Sequence, residues 1–256
     1  MKTAILLVLL GTLFAAGAAT CGQTTPGDDD LLAALDDARF FGEDVTTLRI
    51  RIRAVTPDEE RDAEIRIRFA DSVGGESARI EFLLPEELAG QIYLSTPDAT
   101  YFFGPDLDFP IKTSATAEVF GDAAVAQTSG IRFLDDYTVS DRRSIIGSDG
   151  RPLLEVDLEA VDFSVAFQAA TIVVDPESLR PVSVILYALS GLAFYEVFYE
   201  TYETRGEDDL YVVRQRIVNL FLVGRETISE ILEIGDEPVA PELFDPNALG
   251  SPESDG

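Results

Sequence analysis

Hydrophobic and polar residues alternate along much of the chain, a pattern typical of β-strands with one buried face. In residues 48–54, leucine, isoleucine and alanine alternate with three arginines, and residues 63–69 repeat the pattern. The proline and acids of residues 57–60 predict a turn between these two strands. The same signals predict further strands at residues 79–84, 91–95, 100–103, 144–146, 153–158, 163–174, 209–222 and 226–234.

Residues 171–203 contain three β-rich runs separated by two turn signals. Proline in Asp175-Pro176 presets φ for the first turn, and glycine in Ser190-Gly191 tolerates the positive φ of the second. The pattern predicts a three-stranded antiparallel meander. Its strands have apolar side chains on both faces, so the sheet requires a cover on each side, or a ligand on one.

Two segments predict helices. Residues 31–41 place apolar side chains at helical spacing, after the acids of residues 28–30 and before Gly42. The three aspartates could suggest calcium, but their spacing favours a solvated helix start. Residues 115–130 are small and weakly apolar, which predicts one or two short helices with a break at Gly121. We interpret them as a mobile lid, with candidate residues Val119, Phe120 and Val125.

The basic residue Lys2, the apolar run at residues 4–14 and the small residues at 15–19 form the pattern of a secretory signal peptide at residues 1–20. Cys21 follows directly and has two interpretations: acylation in a relaxed lipobox, or an incidental cysteine after ordinary cleavage. We expect a linker at residues 21–30, a single domain at 31–250 and a disordered tail at 251–256.

The formal net charge is −28, from 47 acidic and 19 basic residues. Such a charge repels nucleic acid, so we expect no nucleic-acid partner. It fits either a halophilic host or an acidic extracytoplasmic protein. The arginines at 49, 51 and 53 could bind an anionic head group or pair with nearby carboxylates.

The residue types exclude several chemistries. The chain has no histidine and one cysteine, which removes Ser-His and Cys-His pairs and histidine metal sites. Paired carboxylates could serve a glycosidase, but among so many acids some pairs arise by chance. We therefore expect no enzyme activity, no cofactor and no metal, and keep an envelope-polymer hydrolase only as a third hypothesis.

Four short motifs suggest a family: FLDDYT at residues 133–138, VDPESLRP at 174–181, YALSG at 187–191 and LFDPNAL at 243–249. With them, the order of elements resembles the LolA-like outer membrane lipoprotein-sorting proteins of the LolA/LolB superfamily. The resemblance implies a mainly β fold with helices (α+β). This is an unclosed antiparallel β-barrel of about eleven strands, with helices covering the concave apolar face.

The resemblance also implies a function. We expect a periplasmic or cell-envelope carrier or acceptor that binds lipoprotein acyl chains or lipid in an apolar cavity. An inner-membrane transporter or outer-membrane acceptor would be its partner, and the protein would be a monomer. The alternative is an envelope sensor of the same fold that acts through protein–protein contacts.

No motif fixes which arginine corresponds to a functional one in the family. The candidate cavity residues are Ile50, Ile52, Ile65, Ile67, Phe82, Phe102, Val184, Leu186, Phe194 and Phe198.

Overall fold

The computed structural model describes residues 26–38, 45–70, 77–124, 131–205 and 209–249. The predicted signal peptide, Cys21, the lid candidate Val125 and the tail at 251–256 lie outside these residues. Within the described ranges, no helix has the length and apolar character needed to cross a membrane.

The described residues form two α-helices, α1 (Asp28–Asp37) and α2 (Phe133–Asp136), and short 3₁₀ helices at Glu86–Leu88, Pro241–Phe244 and Pro246–Ala248. The strands of the first half are β1 (Thr47–Val55), β2 (Glu60–Phe69), β3 (Ala78–Leu84), β4 (Ile92–Ser95), β5 (Thr100–Phe103), β6 (Ile111–Thr113), β7 (Glu118–Phe120) and β8 (Ala123–Ala124). Those of the second half are β9 (Tyr137–Ile146), β10 (Pro152–Ala160), β11 (Ala169–Val174), β12 (Pro181–Tyr187), β13 (Ala193–Arg205), β14 (Asp209–Asn219) and β15 (Glu226–Gly235).

Thirteen of these strands form one antiparallel sheet in the order β6-β5-β4-β3-β2-β1-β15-β14-β13-β12-β11-β10-β9. The sheet does not close on itself, so β6 and β9 are its edges, and β7 and β8 form a separate hairpin. The predicted mainly β, unclosed architecture is confirmed, as is the meander, which is β11 to β13. The strand count differs: the described residues contain fifteen strands rather than about eleven.

The alternation in β1 and β2 determines which side chains are buried. Ile50 lies opposite Ile65 and is buried with it, while the arginines of β1 point to the other face. There Arg49 and Arg51 pair with Glu64 at 2.7 and 3.5 Å. The arginine ladder is therefore paired with carboxylates, and such exposed pairs each contribute little to stability.

The buried side chains of neighbouring strands form one continuous row across the sheet. Direct cross-strand partners link β10 to β1 through Val156, Ile172, Val184, Val197, Ile217, Thr227 and Ala54. Directly opposite residues lie on the same face of a sheet. We call this face the inner face and the face with the arginine ladder the outer face.

The predicted helices in residues 115–130 are wrong for the part that the structure describes. Glu118–Phe120 and Ala123–Ala124 are strands of a hairpin that turns at Gly121, where φ is 61°. Glycine adopts this left-handed conformation without steric cost, which allows a tight reversal. Val119 and Phe120 are buried in the core. Tertiary packing here overrides the helix propensity of the alanines.

Two predicted strands are too long. In residues 163–174 the strand begins only at Ala169, because residues 161–168 form a loop whose Phe167 carbonyl accepts a hydrogen bond from the Tyr137 hydroxyl at 2.9 Å. The strand predicted at 209–222 ends at Asn219. Its amide oxygen accepts hydrogen bonds from the N–H groups of Phe221 and Leu222, which turns the chain out of the sheet.

Candidate functional site

Two different elements cover the inner face. Over β9 to β14, α1 buries Leu31, Leu32 and Leu35 in one apolar cluster. Over β1 to β3, the β7–β8 hairpin buries Val119 and Phe120 in a second apolar cluster. We call these the helix-covered half and the hairpin-covered half.

Seven of the ten candidate cavity residues lie beneath these covers. Ile50, Ile52, Ile65, Ile67 and Phe82 belong to the hairpin-covered half together with the lid candidates Val119 and Phe120. The rings of Phe82 and Phe120 are 6.3 Å apart. Val184 and Leu186 belong to the helix-covered half. Both sets are packed against the protein's own covers.

The other three candidates lie elsewhere. Phe102 is partly exposed and its ring is 4.9 Å from that of Tyr93. Phe194 and Phe198 do not face inward, because β13 buries the alternate residues of the strand. Phe198 lies under the Arg216 guanidinium at 4.4 Å, and Phe194 stacks with Phe221 at one end of the sheet. A strand apolar on both faces gives no sequence signal for which face is inner.

A polar strip separates the two apolar halves. Thr227 and Ser229 on β15 are buried, and Gln215 on β14 lies directly opposite Ser229. Asn219, at the end of β14, is also buried. The two apolar regions of the inner face are therefore divided by buried polar side chains of β15 and of the end of β14, and the face is not uniformly apolar.

The turn of the hairpin is bound to this strip by a set of polar contacts that we call the clasp: Asp122, Asn219, Arg225 and Thr227. The Asp122 N–H donates to Thr227 Oγ1 at 2.8 Å, and Asn219 Nδ2 donates to Asp122 Oδ1 at 2.6 Å. Arg225 Nε lies 3.4 Å from Asp122 Oδ2. Asp122 is only 1% exposed, so these contacts compensate the desolvation of its carboxylate.

Gly121 allows the hairpin to approach the strip. A Cβ at this position would lie 2.5 Å from Thr227 Oγ1 and 2.7 Å from the Ala54 Cβ. Both distances are far below van der Waals contact, and φ is also positive. Only glycine fits this close contact between the turn and the sheet.

Glu118 adds a titratable group beside the clasp. Burial raises the pKa of its carboxyl group, the negative charge of Asp122 raises it further, and Arg225 lowers it. Burial likewise raises the pKa of the Tyr195 hydroxyl, with Glu118 and Asp122 adding to the effect. The clasp compensates the charge of one carboxylate, that of Asp122. A second negative charge beside it is therefore unfavourable.

The helix cover is fixed at both ends. The Asp36 carboxylate accepts hydrogen bonds from the N–H groups of Phe133 and Leu134 at 2.9 Å each, which joins α1 to α2. Arg142 of the edge strand β9 donates to the Pro26 carbonyl at 2.8 Å and pairs with Asp28. These polar contacts support the burial of the three leucines.

Sequence analysis did not identify the clasp. Gly121, Asp122 and Asn219 are residue types common in turns, and a turn is what the local sequence predicts at each position. Asp122 and Asn219 are 97 residues apart in the chain, so their pairing does not appear in any local pattern.

Two clefts lie outside the apolar halves. One, of about 450 Å³, lies between β5 and the C-terminal segment and is lined by Tyr101, Phe103, Phe109 and Leu249 among others. The second, of about 430 Å³, has Arg132 and Asp136 on one wall and residues 95–100 on the other. Within the described ranges, no cluster of cysteine, aspartate or glutamate could hold a metal ion.

The fold is similar to those of known structures. A LolA superfamily protein from Nitrosomonas europaea superposes with a TM-score of 0.76 at 19% identity, covering 86% of this chain and 98% of that one. A domain named for outer membrane lipoprotein sorting, from Vibrio parahaemolyticus, gives 0.71 at 14% identity, with 87% and 99% covered. A DUF1329 family protein from Desulfovibrio piger gives 0.69 at 13% identity, with 87% and 97% covered.

No curated protein sequence matches the chain significantly. A protein-family model described as "Uncharacterized protein" matches residues 74–251, more than half of the chain. The chain therefore belongs to the family that this model describes, and its fold is that of the LolA superfamily, as the sequence resemblance implies.

Proposed function

We propose that the protein is a cell-envelope carrier or acceptor that binds the acyl chains of lipoproteins or of free lipids. The acyl chains would lie on the inner face, beneath the β7–β8 hairpin. The observation that best supports this is the way the hairpin-covered half is closed. Its apolar sheet surface lies under two short strands that are attached at their turn by polar contacts.

Polar attachment suits a cover that has to open. A hydrogen bond exchanged for bonds to water contributes about 0.5–1.5 kcal/mol net, and one to a charged group about 1.5–3 kcal/mol. Lifting the hairpin turn would therefore cost a few kcal/mol at the clasp, and an entering alkyl chain would replace the apolar contacts of Val119 and Phe120. The side chains that would contact the alkyl chain include Ile65, Ile67 and Phe82.

The structures similar to this chain include a domain named for outer membrane lipoprotein sorting. We extend that role to this chain at the level of the cell envelope, with an inner-membrane transporter or an outer-membrane acceptor as its partner. The proposed role involves no chemical step, and it does not depend on whether Cys21 is acylated.

Native mass spectrometry of protein purified from the cell envelope tests the proposal. We expect co-bound lipid or acylated peptide, and displacement of that ligand by a fluorescent fatty acid. An empty protein that also fails to bind the fatty acid would refute the proposal. A membrane-protein partner captured equally well by lipid-free protein would favour the sensor alternative.

A variant of the clasp tests the route of entry. Thr227→Val removes the acceptor for the Asp122 N–H while keeping the side-chain volume, so we expect faster fatty-acid uptake with folding retained. Thr201→Val, at an exposed position on β13, is the matched control and should leave the rate unchanged. Equal uptake rates in the two variants would argue against entry beneath the hairpin.

A further inference from the structure

Large apolar side chains are exposed on three turns of the sheet. Phe163 is 86% exposed, Leu189 74%, Phe221 67% and Val223 92%. Val161, Leu192, Leu220 and Leu222 on the same turns are also exposed. We call residues 161–163, 188–194 and 220–223 the apolar tip.

The three turns lie side by side. They connect β10 to β11, β12 to β13 and β14 to β15, which are consecutive strands of one antiparallel sheet, so all three emerge at the same end. Successive turns are two strands apart, a spacing of about 10 Å. Phe194 and Phe221, from two neighbouring turns, stack with ring centroids 6.5 Å apart. The exposed side chains therefore form a single surface.

This surface has few charges in a strongly acidic protein. Residues 161–168, 188–192 and 220–225 contain one acid, Asp162, and one base, Arg225, in a chain with 47 acids. Asp162 accepts a hydrogen bond from the Ser164 N–H, and Arg225 pairs with Asp122 of the clasp.

The opposite end of the same strands is charged. Its turns at residues 147–151 and 175–180 contain Asp149, Arg151, Asp175, Glu177 and Arg180. Beside the tip, the β1–β2 turn contains Asp58 and Glu59 and marks its boundary. The low charge density is therefore confined to one end of strands β10 to β15.

We propose that the apolar tip docks on a lipid bilayer of low net charge, with the side chains of the three turns in the interfacial region. An apolar surface with few charges complements the hydrocarbon boundary, where rings and aliphatic side chains gain free energy from burial. The apolar groups are at the ends of protruding turns, and this geometry suits a flat, fluid surface. The negative charge of the body disfavours anionic lipid.

Docking by the tip goes beyond the proposed binding of acyl chains and does not require it. The tip is formed by turns outside the two covered halves of the inner face, so either property could exist without the other. The clasp lies at the same end of β14 and β15 as the apolar tip. A carrier with both properties would therefore contact the membrane with the end of the sheet that contains the clasp.

Vesicle co-sedimentation tests the proposal, using residues 22–256, which include every described element and lack both the predicted signal peptide and Cys21. With phosphatidylcholine vesicles we expect saturable binding that persists in high salt and weakens when phosphatidylglycerol is added. Phe163→Ser and Phe221→Ser should each reduce the partition coefficient about tenfold. Both positions are exposed, so melting temperatures should remain close to that of the unmodified protein.

Phe109→Ser and Ile146→Ser are matched controls, since both residues are exposed to a similar degree but lie outside the tip. They should leave vesicle binding unchanged. Protein that stays in the supernatant at millimolar lipid would overturn the proposal, as would equal losses in tip and control variants. Self-association through the tip without vesicle binding would also overturn it, because the occupant would then be a second copy.

A fluorescent reporter gives an independent measurement, because the chain has no tryptophan. The indole of Phe221→Trp should shift to the blue with vesicles and be quenched by brominated lipid, whereas that of Phe109→Trp should not change. Native mass spectrometry of the Phe163→Ser, Phe221→Ser double variant separates the two proposals: acyl binding should persist when vesicle binding is lost.

Discussion

The two halves of the inner face are closed by different physical means. Over the helix-covered half, α1 buries three leucines, so water strengthens the closure through the hydrophobic effect. The hairpin over the other half also buries Val119 and Phe120, but its turn is held by hydrogen bonds and an ion pair around Asp122, for which water can substitute. We therefore expect the hairpin to open more readily than α1.

The largest effect is expected from shortening a leucine of α1. Leu35 is fully buried, and Leu35→Ala should lower the free energy of unfolding by about 3–4 kcal/mol through lost burial and a residual cavity. Urea denaturation measures this. Leu189→Ala, at an exposed position, should change stability by less than about 0.5 kcal/mol. A loss below about 1 kcal/mol for Leu35→Ala would mean that α1 is not the firm cover.

Removing the buried carboxylate of the clasp should have the next largest effect. Asp122→Ala removes the acceptor of Asn219 and the nearer of the two carboxylates beside Arg225, and because Arg225 is partly exposed we expect a loss of about 2–3 kcal/mol. Hydrogen exchange should show faster opening of the hairpin amides than of the α1 amides. Asp106→Ala, at an exposed site, is the control. Equal acceleration in both covers would contradict the comparison.

Adding one carbon atom at the hairpin turn tests the close approach. Gly121→Ala combines positive-φ strain with crowding against Thr227, and should cost about 2 kcal/mol in thermal or urea unfolding. Gly150→Ala is a sharp control: φ there is also positive, at 83°, but a Cβ would meet no atom within 4 Å. The difference between the two variants measures mainly crowding, since both positions share the cost of a positive φ. Equal losses would show that contact with the sheet contributes nothing.

The smallest effect is the pH dependence due to Glu118. Because burial and Asp122 raise its pKa above the ordinary value of 4.5, the folded state favours the neutral carboxyl group. The resulting stability is present below pH 4.5 and is lost as pH rises through the raised pKa.

Glu118→Gln should remove this loss and stabilise the protein at pH 7 by a few tenths of a kcal/mol, since the side chain is half exposed and screened. Melting temperatures between pH 4 and 7 measure the difference. Asp149→Asn should give the opposite sign, because hydrogen bonds from Arg151 lower the pKa of Asp149. A difference for Glu118→Gln that does not vary with pH would exclude titration of Glu118 as the cause.

Local patterns predict most of the sheet. The alternation in β1 and β2 identifies their buried residues, and the turn signals of residues 171–203 identify the meander with its strand order. These predictions succeed because strand periodicity and turn chemistry depend on neighbours along the chain. The motif-based resemblance adds the unclosed architecture, which no periodicity contains.

The candidate site is harder to predict from the sequence than the sheet is. Residues 115–130 contain helix-forming alanines, and part of this segment is a hairpin because of the polar contacts of Asp122 and the burial of Val119 and Phe120. The inner or outer position of Phe194 and Phe198 depends on register across the whole sheet. Both outcomes are set by contacts between distant residues, which a single sequence does not display.

An unclosed sheet has two free edges, where another polypeptide could add a strand and start aggregation. One edge, β6, is three residues long and includes Lys112. The centre of the other, β9, has the sequence Ser140-Asp141-Arg142-Arg143-Ser144, and its Arg142 is bound to the segment before α1. An incoming strand would have to desolvate these charges and displace that tether. The short edge β6 and the charged, tethered edge β9 therefore disfavour polymerisation of the open sheet by strand addition.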